Sequence, residues 1–286
     1  MSIQLFTDSL CDITPDLIKK LDVKIVSLLV YFQGEENAYL DDELSPIEIY
    51  NKANSGKTLP NTAAVTPQRF IDAFEPAVKN GDEIIYIGCG SGISSTFNNA
   101  SIAAESFPDG KVTVIDSQTL SSGISLLLFK ARKLIDEGKT SAEIKDVIES
   151  LVPQLSVKFC VDKMNYIYHG GRCSSIAYLA ATALSLHPVI QMTNNKMDIV
   201  AKPRGKYEKA LDYQIDMFMK DLDKIDMDCV FITHSDGVGS DANVEYVYQK
   251  IKKYIPKQNL HVTTSHSVVS SHCGPRTLGI LYIVKE

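Results

Sequence analysis

Short apolar runs alternate with helical stretches along almost the whole chain, and that alternation leaves few folds open. Residues 3–7, 23–31, 83–88 and 112–116 read as strands, as do 157–161, 188–192, 197–201, 229–234, 261–264 and 277–284. Helical patterns lie between most of them. Ile144, Val147, Ile148, Leu151 and Leu155 share one helical face, and Leu211, Ile215, Phe218, Met219 and Leu222 share another. Such spacing marks amphipathic helices with one buried side. The first half is a regular βα alternation, which favours a mostly parallel sheet covered by helices. In the second half two short strands flank TNNK (193–196), a hairpin signal. The expected fold class is therefore α/β in two domains. Residues 1–153 should hold a mostly parallel sheet, and 154–286 a mixed or antiparallel sheet with helices. Pro153 follows the helix expected over 141–151 and marks the boundary, because proline stops helices. The polar stretch 34–42 reads as a loop.

Composition narrows the class of function. Hydrophobic residues make up 44% of the 286 positions and charged residues 22%, which suits a globular protein with a sizeable core. A net charge of −6 gives no support to non-specific nucleic-acid binding. The start, MSIQLFTDS, has no basic segment followed by an apolar one, and no run approaches the length of a membrane span. The six cysteines are scattered without a CxxC pair, so neither a zinc site nor a disulfide framework is expected. A cytoplasmic location with reduced thiols is the expectation.

The sharpest local feature is GCGSGISSTFNNA (88–100), a glycine-rich turn between an apolar run and a helical segment. A dinucleotide fingerprint needs G-x-G-x-x-G, and the third position here is Ile93. NSGKT (54–58) imitates the end of a P-loop, but its first glycine position is Asn51. The preceding SPIEIYNKA reads as a helix capped by Ser45 and Glu48, which makes Gly56 a helix terminator. What remains at 88–100 is a dense set of hydroxyls, Ser91, Ser94, Ser95 and Thr96, at a helix start. Free N–H groups and the helix dipole there favour an anion. With no lysine or arginine in the stretch, a carboxylate is better served than a doubly charged phosphate. Ser95 or Thr96 alone reads as a helix cap.

Other candidates are weaker singly. Asp8-Ser9 and Asp116-Ser117 end strands, where ligands bind in open α/β sheets, though capping explains them equally well. Thr62 lies in a loop. His272 lies in SSHCGPRTLG, read as a turn, where it could donate to an anion. Arg172 and Arg204 have glycine neighbours and suit a phosphate or a partner surface. Neither a nucleophile elbow nor a metal-ligand spacing is present. No cofactor or metal is expected, and the chain is not expected to be an enzyme by itself. The rival reading is a stand-alone small-molecule kinase or hydrolase.

Taken in order, the segments resemble the DegV family, which includes the fatty-acid-binding subunit of bacterial fatty acid kinase. FTDSLCDI (6–13) is similar to the family's opening TDS-x-x-DL, and NTAAVTP (61–67) stands where it has TSQPS. GSGISSTFNNA (90–100) is similar to SSGLSGTYQSA, and VIDSQTLSSGISLL (114–127) to VIDS…S-x-G-x-G. YHGGRCSS (168–175), KPRGKYEKA (202–210) and SSHCGPRTLG (270–279) are similar to the GGR-[IV]-S, K-x-RG-x-x-KA and H-x-GPG segments. The resemblance implies a long-chain fatty acid in a tunnel between the two domains. Its carboxylate would be held by Thr62, Ser94 and His272, with Ser91 and Ser95 nearby. Ile93, Phe97 and LLLF (126–129) are candidates for the apolar lining. The resemblance further implies an ATP-dependent kinase subunit as partner, with Arg172 and Arg204 near its docking surface, and leaves room for transient membrane contact; a lipid sensor without a kinase partner is the rival reading within it. This sequence departs from the family at Ala63, Ala64, Val65, Ser95 and Arg276. Arg276, in place of a glycine, is expected near the head group.

Overall fold

In this computed structural model, residues 2–56, 58–175 and 185–285 are described. The strands are β1 (Ile3–Asp8), β2 (Val23–Val26), β3 (Leu29–Tyr31), β4 (Ala38–Leu40), β5 (Asn61–Ala63), β6 (Glu83–Gly88) and β7 (Val112–Asp116). They continue with β8 (Leu155–Cys160), β9 (Val189–Thr193), β10 (Lys196–Ala201), β11 (Val230–His234), β12 (Leu260–Thr264) and β13 (Leu278–Ile283). The helices are α1 (Pro15–Leu21), α2 (Pro46–Gly56), α3 (Pro67–Lys79), α4 (Thr96–Ala104) and α5 (Ser122–Asp136). They are followed by α6 (Ser141–Leu151), α7 (Met164–Gly170), α8 (Glu208–Asp221), α9 (Ser240–Ile251) and α10 (Ser267–Cys273).

The first sheet is wholly parallel, in the order β2-β1-β6-β7. Its inner strand β6 is apolar without alternation, and Ile84, Ile85, Tyr86 and Ile87 are fully buried. That is the signature of a parallel strand covered on both faces. The second sheet runs β10-β9-β8-β13-β11-β12 and is mixed, with β11 and β12 parallel and the other pairs antiparallel. TNNK closes the β9–β10 hairpin, as its turn chemistry predicts.

Helix α5 lies between the two sheets and packs against β1 and β6 on one side and β8, β11 and β13 on the other. Its first half, residues 122–128, is buried on every face. Ile124, Leu126, Leu127 and Leu128 are accordingly fully buried. The core on this inner side is continuous from Leu5 and Phe6 through Ile124 to Phe231 and Leu281. A second core fills the far side of the second sheet, where Leu278, Ile280 and Tyr282 of β13 meet Leu211, Ile215 and Phe218 of α8. Alternate residues of β13 thus serve two different cores.

Three expectations are corrected. Residues 23–31 do not form one strand. The chain leaves the parallel sheet at Ser27–Leu28, where the Leu28 N–H donates to Ser9 Oγ at 3.0 Å and the Asp41 N–H donates to Ser27 Oγ at 3.0 Å. From there β3 joins a small antiparallel sheet, β4-β3-β5. The stretch read as a loop at 34–42 therefore contains β4, and Thr62 lies on β5 rather than in a loop. The Ser45–Glu48 capping box forms as read, with the Ser45 N–H donating to Glu48 at 2.7 Å and the Glu48 N–H donating to Ser45 at 3.3 Å. Helix α2 ends at Gly56, and Lys57 lies outside the described residues.

Candidate functional site

The loop between β6 and α4 carries the glycine-rich motif, and each of its glycines has a protein neighbour that requires it. A Cβ on Gly88 would overlap the Tyr86 phenol, which folds along the strand to donate to Asp8 at 2.7 Å. Cβ atoms on Gly90 and Gly92 would overlap Asn195 of the β9–β10 turn. The loop is shaped by its own chain, which removes the need for a phosphate to explain it.

Past this loop lies a cavity of about 250 Å³. Its wall is mainly apolar, from Leu10, Leu28, Ile93, Leu120, Ile167 and Met197, with Val268 and Val269 of α10. Its polar lining includes Thr62, Ser94, Ser95, Arg172 and His272, so five of the sequence-derived candidates meet here from four segments. The Thr62 hydroxyl and His272 Nε2 are hydrogen-bonded at 2.8 Å, with the donor set by the imidazole tautomer. His272 Nδ1 is buried without a partner. Gly170 makes room for it, since a Cβ there would stand 2.5 Å from Nδ1. Ser94 Oγ accepts from the Thr96 N–H at 3.2 Å and contacts the Thr96 hydroxyl at 2.9 Å. The capping expected of Ser95 or Thr96 thus falls to Ser94. Ser95 occupies the cap position without a capping bond and stays exposed.

His272 sits in the last turn of α10, not in a turn as the glycine and proline around it suggest. Two buried carboxylates fix the start of that helix. Asp12 accepts from the His266 N–H at 2.7 Å, and Asp41 accepts from the Val268 N–H at 2.6 Å. Burial, with Arg172 and His169 adding to it, pushes His272 from 6.5 down to about 4. The imidazole is therefore neutral at pH 7. An unfolded chain takes up this proton near 6.5, while the folded chain refuses it until about 4. The neutral burial of His272 thus stabilises the fold above pH 6.5, and its contribution is lost as pH falls towards 4. Urea unfolding of the ligand-free protein and of His272→Gln should show this. Their stability difference should be flat above 6.5 and change by about 1.4 kcal/mol per pH unit below it. Parallel pH profiles would contradict the neutral assignment.

Three predicted site residues are placed elsewhere. Ser91 does not line the cavity, because its hydroxyl donates to Asp116 at 2.7 Å and its N–H donates to the same carboxylate at 3.1 Å. Arg204 is exposed, away from the cavity, at an isolated bridge to Leu186. Arg276 is turned towards Asp162, at 3.3 Å, and lies over the Tyr207 ring, so it adds no charge to the cavity. Its φ of 63° is a conformation that suits the family's glycine better than an arginine. Of the apolar candidates only Ile93 lines the cavity. Leu126, Leu127 and Leu128 are core, and Phe129 packs on Phe231 and His261. Phe97 is also absent from the lining. The Asp8-Ser9 and Asp116-Ser117 pairs serve loop geometry. Asp8 accepts from Tyr86, Cys89 and Leu10, and Asp116 from Ser91, Gln118 and Asn195.

Asn195 is the residue that sequence reasoning missed. TNNK showed a turn, and Asn194 and Asn195 do take φ of 49° and 64°. Nothing in the sequence showed that the second asparagine would reach a loop 103 residues earlier, where Gly92 donates to it. Among the described residues no group of His, Cys, Asp and Glu could hold a metal ion, and no helix is long and apolar enough to cross a membrane. All six cysteines are buried.

Fold and site together define a two-sheet α/β protein with a mainly apolar cavity whose polar groups include three hydroxyls, a neutral imidazole and the Arg172 guanidinium. The chain belongs to the DegV family, a family of uncharacterised proteins whose model matches residues 2–285. A DegV domain-containing protein of Clostridium perfringens is 30% identical over 285 residues, which cover 98% of this chain and 96% of that one. A DegV family protein from Thermus thermophilus, solved in a study of its fatty acid binding, is 27% identical with a TM-score of 0.89, covering 99% of this chain and 100% of its own. DegV of Bacillus subtilis, described as a fatty acid binding protein, shares the fold at 22% identity, with a TM-score of 0.85 and full coverage of both chains.

Proposed function

We propose that this chain binds one long-chain fatty acid, with the carboxylate at Thr62, Ser94 and His272, and presents it to a separate ATP-dependent kinase subunit that forms the acyl phosphate. The observation that carries the reading is the pairing of Thr62 with a neutral His272 beside Ser94 in a cavity with a mainly apolar wall. The fatty acid binding described for the Thermus thermophilus relative supports it.

Hydroxyls and a neutral imidazole hold a carboxylate by charge-assisted hydrogen bonds of about 1.5–3 kcal/mol each, and the Arg172 charge at the cavity is exposed to screening by solvent. One oxygen is left for phosphoryl transfer. The tail supplies most of the affinity, at up to about 0.8 kcal/mol per buried methylene. A smaller cavity of about 30 Å³ shares Leu120, Val269 and Cys273 with the first and is also lined by Val157, Phe159 and Leu281. It extends the apolar path between the two sheets. Arg172, exposed at the cavity, and Arg204 are assigned to the partner's docking surface.

Lipid extracted from the purified protein should contain a long-chain carboxylic acid by denaturing mass spectrometry, in about a one-to-one ratio for a single enclosed cavity. Protein that carries none, and takes up none when palmitate or oleate is added, would remove the reading.

A further inference from the structure

The hydrogen bonds around Asn195 join two parts of the site that are far apart in sequence. Its Nδ2 donates to Ser91 Oγ at 3.1 Å and to Asp116 Oδ2 at 3.1 Å, and its Oδ1 accepts from the Gly92 N–H at 3.2 Å. On one side of this clasp, Ser94 follows Gly92 by two residues and faces the cavity. On the other side, Met197 follows Asn195 by two residues and forms part of the cavity wall. The clasp therefore ties the head-group loop directly to the wall opposite.

The clasp is also built to open. Among the described residues, strand β10 is the edge of its sheet and pairs only with β9. Thr193, Asn194 and Lys196 at the tip are exposed, and apolar burial begins only at its base, with Met192 and Met197. The contacts are polar and half-exposed, and water can replace each of them. Gly90 and Gly92 let the tip seat closely, since a Cβ on Gly92 would stand 2.5 Å from the Asn195 carbonyl oxygen.

We propose that Asn195 is a positioning residue for the Ser94 loop, and that the β9–β10 tip, which adjoins the cavity wall at Met197, lifts off the Ser91–Gly92 loop when ligand exchanges. The inference rests on the fatty-acid reading for its ligand, and on the clasp geometry for its mechanism. Ser91 then has a role after all, as the partner that Asn195 grips rather than as a contact to the ligand.

The test is Asn195→Gly. Glycine accepts the positive φ, and Asn-Gly is the favoured two-residue hairpin turn, so the fold is preserved while the three hydrogen bonds go. Dissociation of a preloaded fluorescent fatty acid, chased with excess palmitate, should become about tenfold faster or more, the loss of a hydrogen bond to a charged group. The Gly92 amide should exchange with solvent faster, and the melting temperature should hold. Ser91→Ala, a lesion on the other side of the clasp, should speed release in the same direction. An unchanged release rate in both variants with the fold intact would overturn the proposal. Should the wild-type protein bind no fatty acid, the fatty-acid reading falls instead. The clasp is then judged by Gly92 exchange alone, where an unchanged rate in Asn195→Gly counts against it.

Discussion

Replacing Ser94 and His272 together by alanine should weaken fatty-acid binding by about a hundredfold or more, since each removes a charge-assisted contact of about 1.5–3 kcal/mol. The two side chains reach the cavity from opposite ends of the sequence, on the loop before α4 and in the last turn of α10. The single variants should be unequal. His272→Ala also strips the Thr62 hydroxyl of its 2.8 Å partner, whereas Ser94→Ala leaves the Thr62–His272 pair in place. His272→Gln offers an amide nitrogen near the former Nε2 and should recover part of the loss. A fluorescence displacement titration with palmitate measures all four variants, and melting of the ligand-free proteins shows whether each is folded. Unchanged affinity in a folded double variant would refute the assigned head-group site.

The alternation of apolar runs and helical stretches carried the fold, because a parallel strand covered on both faces must be continuously apolar and an edge hairpin needs turn residues. Both signals are local. The split of 23–31 was invisible for the opposite reason. Its cause is a hydrogen bond from Leu28 to Ser9, 19 residues earlier, and no apolar pattern records it. The same limit governs LLLF. Four apolar residues in a row fit a tunnel wall or a helix buried on all sides, and only the second sheet, formed some 20 residues later, decides for burial. In the site, hydroxyl clustering at a helix start was a usable signal for Ser94. Ser91 carries the same chemistry and was drawn off by Asp116, which lies 25 residues away. Residue type gave the chemistry, and packing decided which hydroxyl faces the cavity.

The glycines of GCGSG show how far the same letters can mislead, and Gly88→Ala exposes the difference. If Gly88 gave a phosphate close access to the backbone, alanine would harm anion binding and spare the fold. The structure assigns it another task. The register Phe6↔Tyr86 sets Asp8 across from Gly88, and the Tyr86 phenol must pass over Gly88 to reach it. Burial raises the Asp8 pKa, while hydrogen bonds from Cys89, Tyr86 and Leu10 oppose that rise, so the phenol is one of the groups that keep this carboxylate in the core. Alanine at 88 forces the ring aside, which costs about 1–3 kcal/mol in overpacking and a further 1.5–3 kcal/mol for the hydrogen bond. The ligand-free protein should lose about 3 kcal/mol or more, and its melting temperature about 10 °C. Tyr86→Phe alone should cost about 1–2 kcal/mol, and the double variant less than the sum, since both lesions strike the same phenol. A Gly88→Ala protein that melts with the wild type but binds its ligand poorly would return the motif to the anion-cradle reading. One that unfolds early makes the glycine a packing residue, and leaves Ser94 as the part of the motif that meets the ligand.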